Sequence, residues 1–261
     1  MAKTIGMGLG KCRRWGDGMQ RDSEDGGMKI KHWLALFGAI LTMGAGMNAN
    51  AGLFGLGGTS WKEEVLLHDG TKIVVERSVE RGGRHEIGQR PPYKEQSLSF
   101  TLLSSSERVI WTAAYSKEVG YSDLRPLLLD IVRGVPYLVT DPVGCLAYNK
   151  WKRPNPPYIF WRYEDTVWQQ IELADVPAEL KVPNLIISSP DSKVELAGKT
   201  FMTVTEIANL NSSLTQPEYR SILREPLKNA GGSCEELIRY KGYWIMPNDP
   251  VARGMVDRKT K

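Results

Sequence analysis

Residues 127–173 read LLLDIVRGVPYLVTDPVGCLAYNKWKRPNPPYIFWRYEDTVWQQIEL, and this stretch decides the fold class. Apolar runs rich in β-branched and aromatic residues alternate in it with short turn sequences such as Arg133-Gly134. That pattern is typical of consecutive antiparallel strands. A helix capped by Ser122 is the alternative for residues 127–132, but their β-branched end and the turn after them favour a strand. We predict neighbouring strands at residues 127–132, 135–140, 144–149, 158–163 and 167–173.

The flanking sequence extends this architecture in both directions. Asp69-Gly70 and Ser104-Ser105-Ser106-Glu107 each separate two apolar runs, as hairpin turns do. We predict hairpins of 64–67 with 72–79, of 98–103 with 108–115 and of 237–240 with 243–246, a strand at 184–188, a helix or strand within 194–211, and a capped helix from Thr215 to about Lys228. The expected fold is mainly β (α+β): an antiparallel meander sheet or a sandwich with a C-terminal helix and a closing hairpin. One propeller-like blade is the alternative.

Residues 28–51, MKIKHWLALFGAILTMGAGMNANA, have the three parts of a secretory signal peptide. Lys29 and Lys31 are basic, residues 33–47 are uncharged and apolar, and the segment ends in small residues at Ala49 and Ala51. An uncleaved membrane anchor is the alternative, but crossing a bilayer takes about 20 apolar residues. The sequence therefore predicts export to the periplasm or the medium.

This leader also divides the chain. Because a signal peptide works from the N-terminus, we expect Met28 to be the initiator and residues 1–27 to be a wrongly assigned extension. Residues 52–60 are rich in glycine and predict a flexible linker, residues 61–247 form one β-rich domain, and residues 248–261 form a polar, frayed tail.

The charge balance of the mature chain argues against a nucleic-acid partner. The whole chain carries +4, but residues 1–51 hold seven Lys or Arg and four Asp or Glu, so the remainder is near +1. Charges of both signs are spread along it, without the basic block that binds a phosphate backbone. We expect a mature form that does not span the membrane and that binds an envelope protein or a glycan.

Two of the three cysteines, Cys145 and Cys234, follow the leader. Cysteines of exported proteins usually pair because their compartment is oxidising. The sequence therefore predicts a Cys145–Cys234 disulfide, with two buried free thiols as the alternative.

No motif in the mature sequence identifies an enzyme class. His68 and His85 are the mature histidines, each followed by a carboxylate, but both sit in turn or loop sequences without a third ligand at metal-binding spacing. We expect no metal, no cofactor and no catalytic residue, and treat turn histidines as solvated.

An aromatic and basic segment is the candidate binding surface. Tyr148, Trp151 and Tyr158 are interleaved with Lys152 and Arg153. If 158–163 is a strand, bulky side chains lie on both of its faces, and both faces need cover. The aromatic residues then build the core, or they form a stacking platform at its rim where the basic residues hold a glycan or a peptide. The predicted ligand-binding residues are Tyr148, Trp151, Lys152, Arg153 and Tyr158.

The sequences VPYLV at 135–139, GCLAYNKW at 144–151 and RPNPPY at 153–158 resemble exported proteobacterial proteins of no assigned function. The resemblance implies secretion and a bacterial source, and no activity. The sequence thus favours a non-catalytic periplasmic or secreted binding or accessory protein. The alternative is a cell-envelope hydrolase acting on glycan or peptide bonds, with carboxylates or histidines that converge only in the fold.

Overall fold

The computed structural model describes residues 58–83 and 85–260. The predicted signal peptide, the extension before it and residues 52–57 of the predicted linker lie outside the described residues. The strands are β1 (Gly58–Leu66), β2 (Lys72–Arg81), β3 (Tyr93–Thr101), β4 (Arg108–Ala113), β5 (Tyr115–Ser116), β6 (Tyr121–Ser122), β7 (Leu124–Val132), β8 (Val135–Pro142), β9 (Ile159–Glu164), β10 (Val167–Ile171), β11 (Phe201–Met202), β12 (Ile238–Tyr240) and β13 (Tyr243–Ile245). The helices are α1 (Gly144–Lys150), α2 (Pro190–Ala197), α3 (Val204–Asn211), α4 (Pro217–Arg220) and α5 (Pro250–Lys259), with a 3-10 turn at Leu173–Asp175.

Two sheets carry the fold. The first has the strand order β11-β1-β2-β3-β4, in which β11 runs parallel to β1 and the other neighbours are antiparallel. The second is the antiparallel meander β10-β9-β8-β7. Two-stranded pairs β5-β6 and β12-β13 complete the strands. The mainly β fold class is confirmed, and so are the hairpins predicted around Asp69-Gly70 and Arg133-Gly134 and the one between residues 237–240 and 243–246.

The sheets pack face to face as a sandwich. Their shared core contains Val75 and Leu98 from the first sheet and Leu129 and Leu138 from the second. The opposite face of the second sheet is covered by the irregular chain around Leu180. Because side chains alternate along a strand, β9 contributes to both layers, and the cover predicted for its two faces is present.

Three predicted elements have a different structure. Residues 144–149 belong to helix α1, not to a strand, and the amide of Trp151 donates to the Ala147 carbonyl one turn back. The helix expected over 215–228 is limited to the single turn α4. It does not continue, because the backbone amide of Ile222 donates to the Lys181 carbonyl and not to a carbonyl one turn earlier. The expected frayed tail contains α5, which begins at a proline and is capped by the Asp249 carboxylate.

Residues 184–188 are not a regular strand either, because side chains replace part of the ladder. The amide of Leu185 donates to the Leu127 carbonyl, but the next two amides bond to side-chain oxygens, Ile186 to Glu63 at 3.0 Å and Ile187 to Asn211 at 3.2 Å. At the other end of the sequence, Gly58 to Ser60 belong to β1, so the first strand begins inside the expected linker.

Buried polar contacts connect helix α2 to the first sheet, and a disulfide holds helix α1. Asp191, in the first turn of α2, accepts bonds from the Arg81 guanidinium at 2.7 and 3.0 Å and from the Tyr93 hydroxyl. Burial by itself raises the pKa of Asp191, but these bonds outweigh it and lower the pKa to about 2. Cys145 and Cys234 form a disulfide that ties α1 to the segment before β12.

Candidate functional site

The β1–β2 turn holds His68 in a fixed position. The amide of Leu67 donates to the Thr71 carbonyl at 2.8 Å, and the Asp69 carboxylate accepts from the Thr71 amide at 2.9 Å. Gly70 takes the left-handed conformation, with a φ of 86°, that this tight turn requires. His68 is therefore carried by a structured turn next to the second sheet.

His68 is paired with a buried aspartate on that second sheet. Its Nδ1 lies 2.8 Å from Oδ1 of Asp130, and its backbone amide also donates to Asp130, at 3.1 Å. The Asp130 side chain is 4% exposed and that of His68 is 26% exposed. The bond from Nδ1 to the carboxylate raises the pKa of His68. The expectation of a merely solvated turn histidine is thus replaced by an oriented histidine–aspartate pair.

Asn184 closes the space between the two sheets beside this pair. Its side-chain amide donates to the Leu66 carbonyl of β1 at 3.0 Å and to the Leu129 carbonyl of β7 at 2.8 Å. Its oxygen accepts from the Leu129 amide at 2.9 Å. One side chain therefore bridges both sheets and fixes His68 relative to Asp130.

A cavity of about 410 Å³ opens over the pair, and we call it the His68 cavity. Its volume is in the range of small-molecule sites. Leu66 and Val182 at its rim are 41% and 63% exposed. Its polar lining consists of His68, Asp130, Glu179, Lys181 and Asn184. Its apolar lining consists of Leu66, Leu67, Leu128, Val182, Pro183, Val204, Ile207 and Ala208.

The predicted aromatic and basic segment has a mainly structural arrangement. Tyr148 and Tyr158 are only 6% and 3% exposed, and the Tyr158 hydroxyl donates to the Glu218 carbonyl at 2.8 Å. Burial raises the pKa of both tyrosines. The ring faces of Tyr148 and Tyr158 therefore cannot form the stacking platform. These two tyrosines are part of the core, as in the other alternative.

The other three residues of the segment are tied to their neighbours or lie outside the core. Trp151 packs edge-on against Trp161 at 6.0 Å and donates from Nε1 to Asp123 at 3.0 Å. The Arg153 guanidinium lies 5.0 Å from the centre of the Tyr148 ring. Lys152 is exposed. The five residues are close in sequence, but two are buried, two contact neighbouring side chains and one is exposed.

Tyr148 also lines a second cavity, of about 580 Å³, between the start of α1 and the segment that carries Cys234. We favour the His68 cavity as the functional site because it combines apolar walls with an oriented titratable pair. His85 lies apart in an exposed loop, where Nδ1 is 3.0 Å from the Gly83 carbonyl oxygen.

Sequence reasoning missed Asp130, although a signal was present. Asp130 is the one charged residue in the apolar run Leu127–Val132, and a charge inside a strand of this kind needs a partner. Its partner, 62 positions away, is not specified by local sequence.

Within residues 58–83 and 85–260, no cluster of three or more His, Cys, Asp or Glu side chains could hold a metal ion. In the same part of the chain, no helix has the length and hydropathy needed to cross a bilayer. Comparison with models of protein families, with curated proteins and with solved structures gives no match.

Proposed function

We propose that this chain is an exported, non-catalytic binding protein and that its ligand places an apolar group in the His68 cavity. The observation that carries the proposal is the cavity itself. It has apolar walls, exposed apolar residues at its mouth and one oriented polar pair. Clefts with this composition are typical ligand sites. The disulfide and the predicted leader support export.

The rim of the cavity supports a ligand rather than a structural role. Leu66 and Val182 are exposed at the cavity mouth, where water contact with apolar surface is unfavourable. Each square ångström of apolar surface that a ligand covers is worth about 25 cal/mol. An occupant that covers both side chains is therefore stabilised without any further polar contact.

A matched pair of alanine substitutions tests the site. Ala208 on α3 lines the cavity, and Ala197 on α2 is also exposed but lies outside the lining. We expect Ala208→Phe to fill the cavity and weaken binding of an apolar fluorescent dye, measured by titration. Ala197→Phe should leave dye affinity unchanged. Equal affinity for the two variants and the parent protein would contradict the site.

The His68–Asp130 pair favours a second candidate, the cell-envelope hydrolase. A histidine oriented by a buried carboxylate can take a proton from water in the hydrolysis of a glycan or peptide bond. The test is incubation with peptidoglycan, with products identified by mass spectrometry. If the protein is a hydrolase, the parent protein releases product and His68→Ala does not.

A further inference from the structure

The titratable atom of the His68 cavity is defined by the contacts of the histidine ring. Asp130 is a carboxylate and accepts hydrogen bonds, so Nδ1 carries the hydrogen in the 2.8 Å contact. The backbone amides of His68 and Ile131 also donate to Asp130, at 3.1 and 2.8 Å. Because Nδ1 is hydrogen-bonded to Asp130, Nε2 is the ring nitrogen that can bond to a ligand. Nε2 has a lone pair when His68 is neutral and an N–H when it is charged.

The charges around Nε2 decide which ligand fits each state. The residues that line the cavity include two with carboxylate side chains, Asp130 and Glu179, and one with an ammonium group, Lys181. With His68 neutral these groups sum to one negative charge, and protonation of His68 brings the sum to zero. Asp69 lies in the same turn, and its carboxylate favours the protonated ring together with those of Asp130 and Glu179. Protonation therefore lowers the negative charge around the ring by one, with one negative charge remaining when Asp69 is counted, and creates a donor inside apolar walls.

We propose that the ligand is a single-chain apolar molecule with a terminal carboxylate, which pairs with Nε2–H of His68 and binds together with a proton. This inference rests on the proposed function of the cavity. In this arrangement the carboxylate accepts from Nε2–H, Lys181 adds a positive charge to the lining residues, and the chain covers the apolar walls near Leu66 and Val182. The volume of about 410 Å³ is in the range of small-molecule sites, and a chain of medium length is a ligand of that class.

Octanoate and 1-octanol are the matched probes, because they share the chain and differ in the head group. Their affinities for the full chain are measured by isothermal titration calorimetry at about pH 6 and about pH 9, because the pKa of His68 is raised above the ordinary histidine value. Octanoate is ionised at both values because carboxyl groups have pKa values of about 4 to 5. We expect octanoate to bind about tenfold more tightly at the lower pH, the size of one charge-assisted hydrogen bond. Octanol affinity should not change in this way.

Two substitutions separate the histidine from the rest of the protein. In His68→Asn the side-chain amide can still donate to Asp130, as Nδ1–H does, but the Nε2 position is removed. We expect this variant to lose the pH dependence of octanoate affinity. His85→Asn, at the exposed loop histidine, should retain it. Titrations in buffers of different ionisation enthalpy should show proton uptake with octanoate in the parent protein and in His85→Asn.

The outcomes distinguish this inference from the proposed function. If octanol binds and octanoate affinity is the same at both pH values, the carboxylate inference fails and the apolar site stands. The same conclusion follows if His68→Asn keeps the pH dependence of octanoate. If neither probe binds and Ala208→Phe does not affect the dye, both proposals fail.

Discussion

Replacing Glu63 with glutamine tests whether a buried ion pair joins the first sheet to the segment that follows Asn184. Glu63 and Arg77 are 0% and 2% exposed, and their side chains meet at 3.0 Å. The Glu63 carboxylate also accepts from Nε1 of Trp61 at 2.7 Å and from the amide of Ile186 at 3.0 Å. Three donors thus depend on one buried carboxylate.

Glutamine has nearly the same shape but only one acceptor oxygen and no charge. Placed in the position that faces Trp61 and Arg77, that oxygen keeps two contacts, and the new NH₂ group then faces the Ile186 N–H. Arg77 is left as a buried charge without its counter-ion, a change that typically costs about 3 to 5 kcal/mol. We expect Glu63→Gln to lower the free energy of unfolding by about that amount.

The neighbouring pair on the same two strands is a matched control. Lys62 and Glu76 are directly opposite each other on β1 and β2, at 3.4 Å, but are 50% and 41% exposed. Water screens this pair, so Glu76→Gln should cost about 0 to 1 kcal/mol. Both variants are measured by urea unfolding followed by tryptophan fluorescence, with linear extrapolation to water.

A double-mutant cycle identifies the cause of the effect. In Glu63→Gln with Arg77→Met, the glutamine no longer leaves an unpaired charge. We expect the double variant to be less destabilised than the sum of the single variants, by at least about 1 kcal/mol. The reasoning is refuted if Glu63→Gln costs no more than Glu76→Gln, or if the two single effects add.

Three further predictions concern other parts of the structure. Replacing Cys145 and Cys234 with serine opens a loop of 89 residues and should cost about 4 to 5 kcal/mol of unfolding free energy on the chain-entropy model, measured by urea titration. Asp191 has a pKa of about 2, below its unfolded value of 3.8. Its contribution to the free energy of unfolding is therefore present above about pH 4 and is lost as the pH falls towards 2. We expect Asp191→Asn to be less stable than the parent protein at neutral pH and to lose less unfolding free energy between about pH 4 and about pH 2. Gly231→Ala places a Cβ 2.2 Å from Cε1 of Tyr148 at a φ of 80°, so we expect a lower melting temperature by calorimetry, and an unchanged value would contradict this packing.

Local sequence predicted most of the strands, and particular residues show why. Leu98 lies between the polar residues Ser97 and Ser99, and Gly70 and Gly134 supply the left-handed positions of two turns. These signals act over a few residues, because the side-chain period of a strand and the φ of a turn are local properties. The prediction failed at residues 144–149, where Ala147 and its neighbours follow a helical pattern with Cys145 held by the disulfide.

The sequence by itself determined the mainly β architecture and the leader-like segment, and it left Cys145 and Cys234 as one possible pair. The tertiary structure decided that Tyr148 and Tyr158 are buried and that His68 meets Asp130, 62 positions away. It also brought the amide of Ile186 to Glu63, across 123 positions. The physical reason is that the two-residue period of a strand determines on which face of the sheet a side chain lies. Which distant residue that side chain contacts depends on how the two sheets pack together. The candidate site belongs to this second kind of information, since its walls come from both sheets and from α3.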